Sequence, residues 1–150
     1  MQYLFEYSDR LSSPYEAFQV DSTIEYFPVR PHWHYFTEIM YMLEGVAMVE
    51  CDDKTYAVEP EQLIIFHPKA IHSIYAVNTD PIRYAVLKFD ANTLSVASSY
   101  TPKLSSILEN AHNDDLARIH FTEDVLQHIP VYQIISDCIR ELQDKDYGYD

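Results

Sequence analysis

Glycine and cysteine are both scarce in this sequence. The chain has 2 glycines and 2 cysteines among 150 residues. Cys51 and Cys138 stand far apart, without CxxC or Cys/His spacing, which excludes a disulfide framework and a zinc knuckle. Because 47% of the residues are hydrophobic and 14% are aromatic, a collagenous or disordered chain is excluded as well. We therefore expect a globular protein, and the length predicts a single domain over residues 1–150.

Basic residues are also few. The chain has 10 lysines and arginines against 24 aspartates and glutamates, which gives a formal net charge of −14. Such a surface repels polyphosphates and anionic lipids. No basic segment is concealed near the end of the sequence, where acidic residues also predominate. We expect that this chain does not bind DNA by itself.

Long apolar runs and a secretion signal are absent. No stretch approaches the roughly 18 uncharged apolar residues of a membrane span, and the first residues lack a basic start followed by an apolar run. The sequence therefore predicts a cytoplasmic protein without a membrane partner. It also contains neither a Ser-His-Asp order nor a phosphate-binding glycine loop, so hydrolase and nucleotide-binding functions have no support.

The first 90 or so residues have the pattern of an all-β domain. Short apolar or alternating runs are separated by turn residues at intervals of about 8 to 12 positions, as in antiparallel sandwiches and barrels. We predict strands over residues 16–20, 23–27, 37–43, 46–51, 54–58, 62–66, 71–77 and 83–89.

After Asp90 the apolar period changes from two to about 3.6, which predicts two C-terminal helices. Thr122 and Pro130 are typical of helix starts. We expect the second helix to pair two subunits through an apolar stripe formed by Ile134, Ile135, Cys138, Ile139 and Leu142. The alternative that each stripe packs on its own barrel stays open.

One cluster of residues carries chemistry. His32, His34 and Glu38 share parity, so on an extended path they can project to the same side of a sheet, and Gly45 follows as a turn residue. His72 begins a later predicted strand that could pair beside them. Three imidazoles and a carboxylate suit a divalent transition metal such as Zn, Ni, Mn, Fe or Cu. The alternative is a hydrogen-bonded polar network at the mouth of the barrel.

Inside a barrel, an ionised Glu38 requires compensation. Burying a carboxylate without a cation is costly. Arg30, Arg83, a protonated histidine or a metal ion would each supply the charge.

The pattern HxHx3Ex6G resembles the first cupin motif, and His67-Pro68-Lys69-Ala70-Ile71-His72 resembles a degraded second one. This resemblance covers about residues 31–90 and implies that the metal-ligand positions of cupins are occupied by His32, His34, Glu38 and His72. Three positions that usually hold glycine hold Tyr26, Glu61 and Lys69 instead, so we expect differently shaped loops.

The wider context resembles one group of cupins. Residues 32–45, the segment 65–68 with His72, and residues 84–90 before two helices resemble the N-terminal effector domain of AraC-type transcription regulators. The resemblance implies a mainly β, cupin-like double-stranded β-helix (jelly-roll) barrel over about residues 1–95 and a helical dimerisation segment over about residues 100–146. It also implies a small effector, often a sugar, and a homodimer. DNA would be bound only by a separate C-terminal helix-turn-helix domain, which we expect to lie outside this sequence.

The ligand-binding candidates combine the motif with nearby side chains. Trp33 and Tyr84 offer flat apolar faces with polar tips, which suit a sugar ring, and Met40 shares the parity of Glu38. The predicted ligand-binding set is His32, Trp33, His34, Glu38, Met40, His72 and Tyr84. We expect a sensor rather than an enzyme. The alternative is a stand-alone metallocupin oxygenase or isomerase that holds its metal with the three histidines and the glutamate.

Overall fold

Strands are the main secondary structure of the described chain, and three helices lie near its end. The computed structural model describes residues 4–7, 13–93, 103–114 and 117–145. The strands are β1 (Leu4–Phe5), β2 (Tyr15–Asp21), β3 (Val29–Trp33), β4 (Thr37–Glu44), β5 (Ala47–Cys51), β6 (Lys54–Val58), β7 (Leu63–Phe66), β8 (His72–Ala76), β9 (Arg83–Phe89) and β10 (His120–Phe121). The helices are α1 (Leu104–His112), α2 (Glu123–Leu126) and α3 (Val131–Asp144). The two predicted helices are present, and the short α2 lies between them.

The strand pairing is nested. β5 pairs with β6, β4 with β7, β3 with β8 and β2 with β9, each antiparallel. The strands form two five-stranded sheets in the orders β1-β3-β8-β5-β6 and β10-β7-β4-β9-β2. Nested antiparallel pairs divided between two facing sheets are the topology of a jelly roll. The prediction of a cupin-like barrel followed by helices is therefore confirmed.

The predicted strand at residues 23–27 is wrong. The Asp21 side chain accepts hydrogen bonds from the Thr23 amide and hydroxyl at 2.9 and 2.6 Å, and its carbonyl accepts from Ile24. Side chains of this kind stabilise turns in place of a sheet ladder. Ile24 and Tyr26 are 80% and 77% exposed, so their apolar character does not mark a strand.

Alternate residues of the strands fill the space between the two sheets. On β4 the inward side chains Met40 and Met42 are fully buried, and on β9 the corresponding residues are Tyr84 and Val86. Burying such side chains stabilises a fold by about 1.5–3 kcal/mol each. These residues and their neighbours form the apolar core.

Two glycine positions of the cupin pattern keep their backbone conformation without glycine. Glu61 and Lys69 have φ values of 66° and 71°, in the left-handed region that glycine favours. These two positions therefore hold a left-handed backbone although a side chain is present, and the expectation of differently shaped loops stays a prediction. Gly45, with φ 76°, has a further constraint, since an added Cβ would lie 2.5 Å from the Pro81 carbonyl oxygen.

The long helix α3 packs on β2 and β9. Ile135 is its anchor and is only 2% exposed, whereas Ile134 is 48% exposed. The prediction that Ile135 contacts a partner subunit is therefore corrected, because the helix turns this side chain toward its own barrel. Cys138, Ile139 and Leu142 are half-buried.

The helices leave apolar side chains in contact with solvent. In α1, none of the described residues is buried, and Ile107 is 50% exposed. No helix of the described segments has the length and apolar character needed to cross a membrane.

Candidate functional site

Two cross-strand pairs face each other at one end of the barrel. His32 of β3 lies opposite His72 of β8 in one sheet, and Glu38 of β4 lies opposite Lys88 of β9 in the other. His34 lies in the bend between β3 and β4, where the chain passes from one sheet to the other. The motif residues therefore meet across the barrel, whereas their shared parity predicted one face of one sheet.

The three histidines have a common orientation. Each Nδ1 lies close to a backbone carbonyl: His32 to Arg30 at 2.9 Å, His34 to Phe36 at 3.1 Å, and His72 to Ala70 at 3.0 Å. A carbonyl only accepts, so each Nδ1 carries the proton and donates. Each Nε2 is left to interact with the interior. One ring nitrogen from each histidine lies within 4.8 Å of the others.

Glu38 lies among these rings and is 4% exposed. Its Oε2 is 2.8 Å from His34 Nε2 and 3.7 Å from His72 Nε2. A carboxylate oxygen only accepts hydrogen bonds. With the Nδ1 proton already donated to a carbonyl, the short contact with His34 requires a second proton or a cation.

The positive charge near Glu38 comes from Lys88. Its Nζ lies 3.4 Å from Glu38 Oε2 and donates to both oxygens of Glu6 at 2.9 and 3.0 Å. Glu6 also lies 3.2 Å from His32 Nε2. We call the six residues of this arrangement the charged layer: Glu6, His32, His34, Glu38, His72 and Lys88.

Neither arginine considered from the sequence compensates Glu38. Arg83 forms an exposed ion pair with Glu44 at 2.6 Å, and Arg30 donates to the Tyr26 hydroxyl at 3.1 Å. Sequence reasoning missed Lys88, although its spacing of two positions from Val86 and four from Tyr84 places all three side chains on the same face of the strand. It also missed Glu6, which follows a two-residue strand and carries no sequence signal.

The pKa values follow from this pairing. Burial by itself would raise the pKa of Glu38, but Lys88 and the neighbouring imidazoles outweigh burial and hold it well below its usual value. For Glu6, burial is likewise outweighed by His32 and Lys88, which lower its pKa to about 2. The two carboxylates overcome the effect of burial on Lys88 and raise its pKa, and Glu6 does the same for His32. Both carboxylates and the ammonium are therefore charged at neutral pH.

A cavity of about 680 Å³ opens beside the charged layer. Of the predicted ligand-binding residues, His32, Glu38 and Tyr84 line it. Its apolar wall includes residues that the sequence did not single out, among the described ones Phe5, Phe18, Val20, Val29, Ile74 and Val86.

The other predicted ligand-binding residues are not part of this lining. Trp33 packs against Phe5 and Tyr35, with ring centroids 4.7 and 5.4 Å away. Met40 belongs to the apolar core. His34 and His72 lie behind Glu38, where both are 1% exposed.

The three histidines fit a transition metal. Their protons on Nδ1 are held by carbonyls, the second contact that metal-binding histidines usually make. His72 Nε2 is buried without a hydrogen-bond partner, which is unfavourable unless a further group occupies the site. Glu38 fits less well, because Lys88 already pairs with its Oε2.

Comparison with known proteins points to one family. The model of the AraC-like ligand binding domain matches residues 21–149. No curated protein sequence matches the chain significantly.

Solved structures with a similar fold include cupins. A cupin 2 domain-containing protein from Halorhodospira halophila has 20% identity and a TM-score of 0.44, over 55% of this chain and 56% of that one. A cupin-2 domain protein from Shewanella frigidimarina has 15% identity and a TM-score of 0.42, over 51% and 71%. The DMSP lyase DddQ from Ruegeria pomeroyi DSS-3 has 18% identity and a TM-score of 0.44, over 51% and 38%. The chain thus spans about half or less of the first and third of these proteins.

Proposed function

The chain belongs to the family of AraC-like ligand-binding domains, and on that premise we propose that it senses a small, neutral, polyhydroxylated effector, such as a sugar, in the cavity beside the charged layer. The observation that carries this proposal is the cavity itself. It joins an apolar wall to a small number of fixed polar groups, as ligand sites usually do.

The lining chemistry favours a neutral ligand with many hydroxyl groups. Glu6 and Glu38 accept hydrogen bonds, Lys88 and Arg30 donate them, and Tyr84 offers a flat face with a polar tip. With Glu25 also present, the lining carries three carboxylates, against the cations Lys88 and Arg30 and the titratable His32. The lining therefore offers an anionic effector no excess of positive charge.

The effector would act by shifting an equilibrium between two states of a larger protein. A ligand changes such an equilibrium only through a difference in its affinity for the two states. We propose that the responding part is a C-terminal helix-turn-helix domain outside this sequence. That domain would bind DNA in the cytoplasm.

A melting-temperature screen with aldopentoses and aldohexoses at millimolar concentration tests the sensor. A sugar that binds the folded state must raise the melting temperature. Val20→Trp, which fills the cavity, should abolish the shift, whereas Val77→Trp at an exposed position should keep it. The proposal fails if no sugar shifts the wild type, or if Val20→Trp responds as the wild type does.

We also propose a homodimer formed through α3, with the exposed Ile134 as its main contact and the half-buried Cys138, Ile139 and Leu142 on the side toward the barrel. Ile134→Glu should yield a monomer in sedimentation. The matched control is Ile107→Glu on α1, which carries an equally exposed isoleucine and should stay dimeric. A dimeric Ile134→Glu variant, or a monomeric control, would contradict this assignment.

A second candidate function is a metallocupin enzyme, an oxygenase or isomerase. The cluster of three imidazoles favours it. His32, His34 and His72 would hold the metal, and such an ion acts as a Lewis acid toward a bound substrate. Metal analysis of untagged protein tests this candidate. The enzyme function requires that the wild type contains stoichiometric metal and that His34→Ala loses it.

A further inference from the structure

Glu38 has two kinds of neighbour. On one side are the imidazoles of His34 and His72, and on the other is the ammonium of Lys88, all within 3.7 Å of the same oxygen, Oε2. The side chains of Glu38 and Lys88 are 5% and 7% exposed. Water therefore screens this ion pair poorly.

The position of Lys88 is determined by the sheet and by a second carboxylate. The β4–β9 register places Lys88 directly opposite Glu38. Glu6 holds the ammonium from the other side with two contacts, at 2.9 and 3.0 Å. Lys88 therefore has a carboxylate partner on each side. Moving its ammonium away from Glu38 would break that ion pair and disturb the contacts with Glu6.

A divalent cation bound by the imidazoles would compete with this ammonium. The Nε2 atoms of His34 and His72 lie close to Glu38 Oε2, so an ion coordinated by them would lie near Lys88 Nζ. Like charges at such a separation repel strongly in a buried site. The ion would also have to displace Lys88 from Glu38 to gain the carboxylate as a ligand.

We propose that Lys88 is a specificity-determining residue that occupies the role of the cation at Glu38 and so keeps the affinity of this site for divalent metals low. The wild type would offer an ion only the three imidazoles. Without the ammonium, the same imidazoles and Glu38 form a complete site of three histidines and one carboxylate. The inference rests on the proposed sensor function and deepens it, because it explains why the charged layer beside the cavity disfavours divalent metal ions as ligands.

Titration of the untagged protein with Co²⁺ tests the proposal, with visible absorption and calorimetry as readouts. Lys88→Met should bind Co²⁺ about 10- to 100-fold more tightly than the wild type, the range typical of groups that adjust a metal site from outside. Lys88→Arg keeps the charge and should resemble the wild type. Lys54→Met removes an exposed lysine and should also leave the affinity unchanged. Adding His34→Ala to Lys88→Met should abolish the gain.

Lys88→Gln is a second variant, because its amide can still bond to Glu6 and Glu38 and preserve the fold. Co²⁺ should raise the melting temperature of Lys88→Met and Lys88→Gln more than that of the wild type. Equal affinities of the wild type and both variants would overturn the proposal, as would failure of Co²⁺ to stabilise either variant. The titration uses no sugar, so its outcome and that of the effector screen are independent.

Discussion

Two neighbouring layers of the barrel interior are built from the same strands but have opposite chemistry. On β4 the inward residue Glu38 is followed two positions later by Met40, and on β9 Lys88 is preceded by Val86. The charged layer is held together by hydrogen bonds and ion pairs with defined geometry. The neighbouring apolar layer, which contains Met40 and Val86, is held together by burial alone. On each strand, the residue that can contact a ligand and the residue that stabilises the core are consecutive inward-facing positions. Binding and stability are therefore separated by a single step along the strand.

The sharpest test of this contrast removes one member of a buried ion pair. Lys88→Met leaves Glu38 buried without the ammonium and should cost about 3–5 kcal/mol of unfolding free energy in metal-free protein. Adding Glu38→Met should recover most of that loss, since a buried pair is often replaced by apolar residues at no cost. Urea unfolding of both variants measures the effect. Equal losses in the single and double variants would show that pairing is not the cause.

The apolar layer should respond to volume alone. Met40 has no exposed surface, so Met40→Ala leaves an empty space in the core and should lower the free energy of unfolding by about 2–5 kcal/mol. Met40→Leu keeps the volume and should cost less than about 1.5 kcal/mol. Met40 does not line the ligand-binding cavity beside the charged layer, so neither substitution should alter an effector's affinity in calorimetry. A changed affinity would indicate that Met40 belongs to the binding site.

Acid should weaken the charged layer selectively. The pKa values of Glu6 and Glu38 are lowered in the folded chain, so the stability they contribute is present above their ordinary value of 4.5. It is lost as the pH falls through the folded values, which for Glu6 is about 2. Urea midpoints measured between about pH 7 and about pH 3 should therefore decline on the acid side.

The acid response should depend on the buried pairing. Glu6→Gln should make the decline shallower. Glu44→Gln, which removes a carboxylate from the exposed pair with Arg83, should change it little, because solvent screens such pairs. An unchanged slope in Glu6→Gln would mean that other carboxylates cause the acid loss.

The smallest expected effect concerns a loop outside both layers. Lys69 holds a left-handed backbone conformation that costs residues other than glycine roughly 1–2 kcal/mol. Lys69→Gly should relieve this strain and, after the entropy cost of glycine, raise stability by less than about 1 kcal/mol. Lys54→Gly in strand β6 is the control and should lower the melting temperature in calorimetry. A loss at both positions would refute the strain at Lys69.

Local patterns predicted much of the fold and part of the site. The alternation at Glu38 and Met40 was sufficient to predict that these side chains share a face, and both point inward. The spacing of His32, His34 and Glu38 with the later His72 correctly selected residues that come together. The prediction was wrong at residues 23–27, where the side chain of Asp21 forms a turn that apolar character alone does not reveal.

The unpredicted parts of the site depend on contacts between distant segments. Lys88 and Glu38 are 50 positions apart in the sequence, and only the β4–β9 register makes them opposite. Glu6 reaches the same group through β1, which pairs with β3 over two residues. Ile135 lies in the predicted stripe, but whether it faces the barrel or a partner depends on how the helix docks.

By itself, the sequence determined an all-β region with two following helices, because hydrophobic period is a local property, and its resemblance to the cupin motifs indicated the barrel and the histidine and glutamate cluster. Only the tertiary structure decided that Lys88 is the cation beside Glu38, that Trp33 is not part of the cavity lining and that Ile135 anchors α3. The physical reason is that charge compensation and docking depend on which distant segments meet in space, and no local pattern encodes that distance.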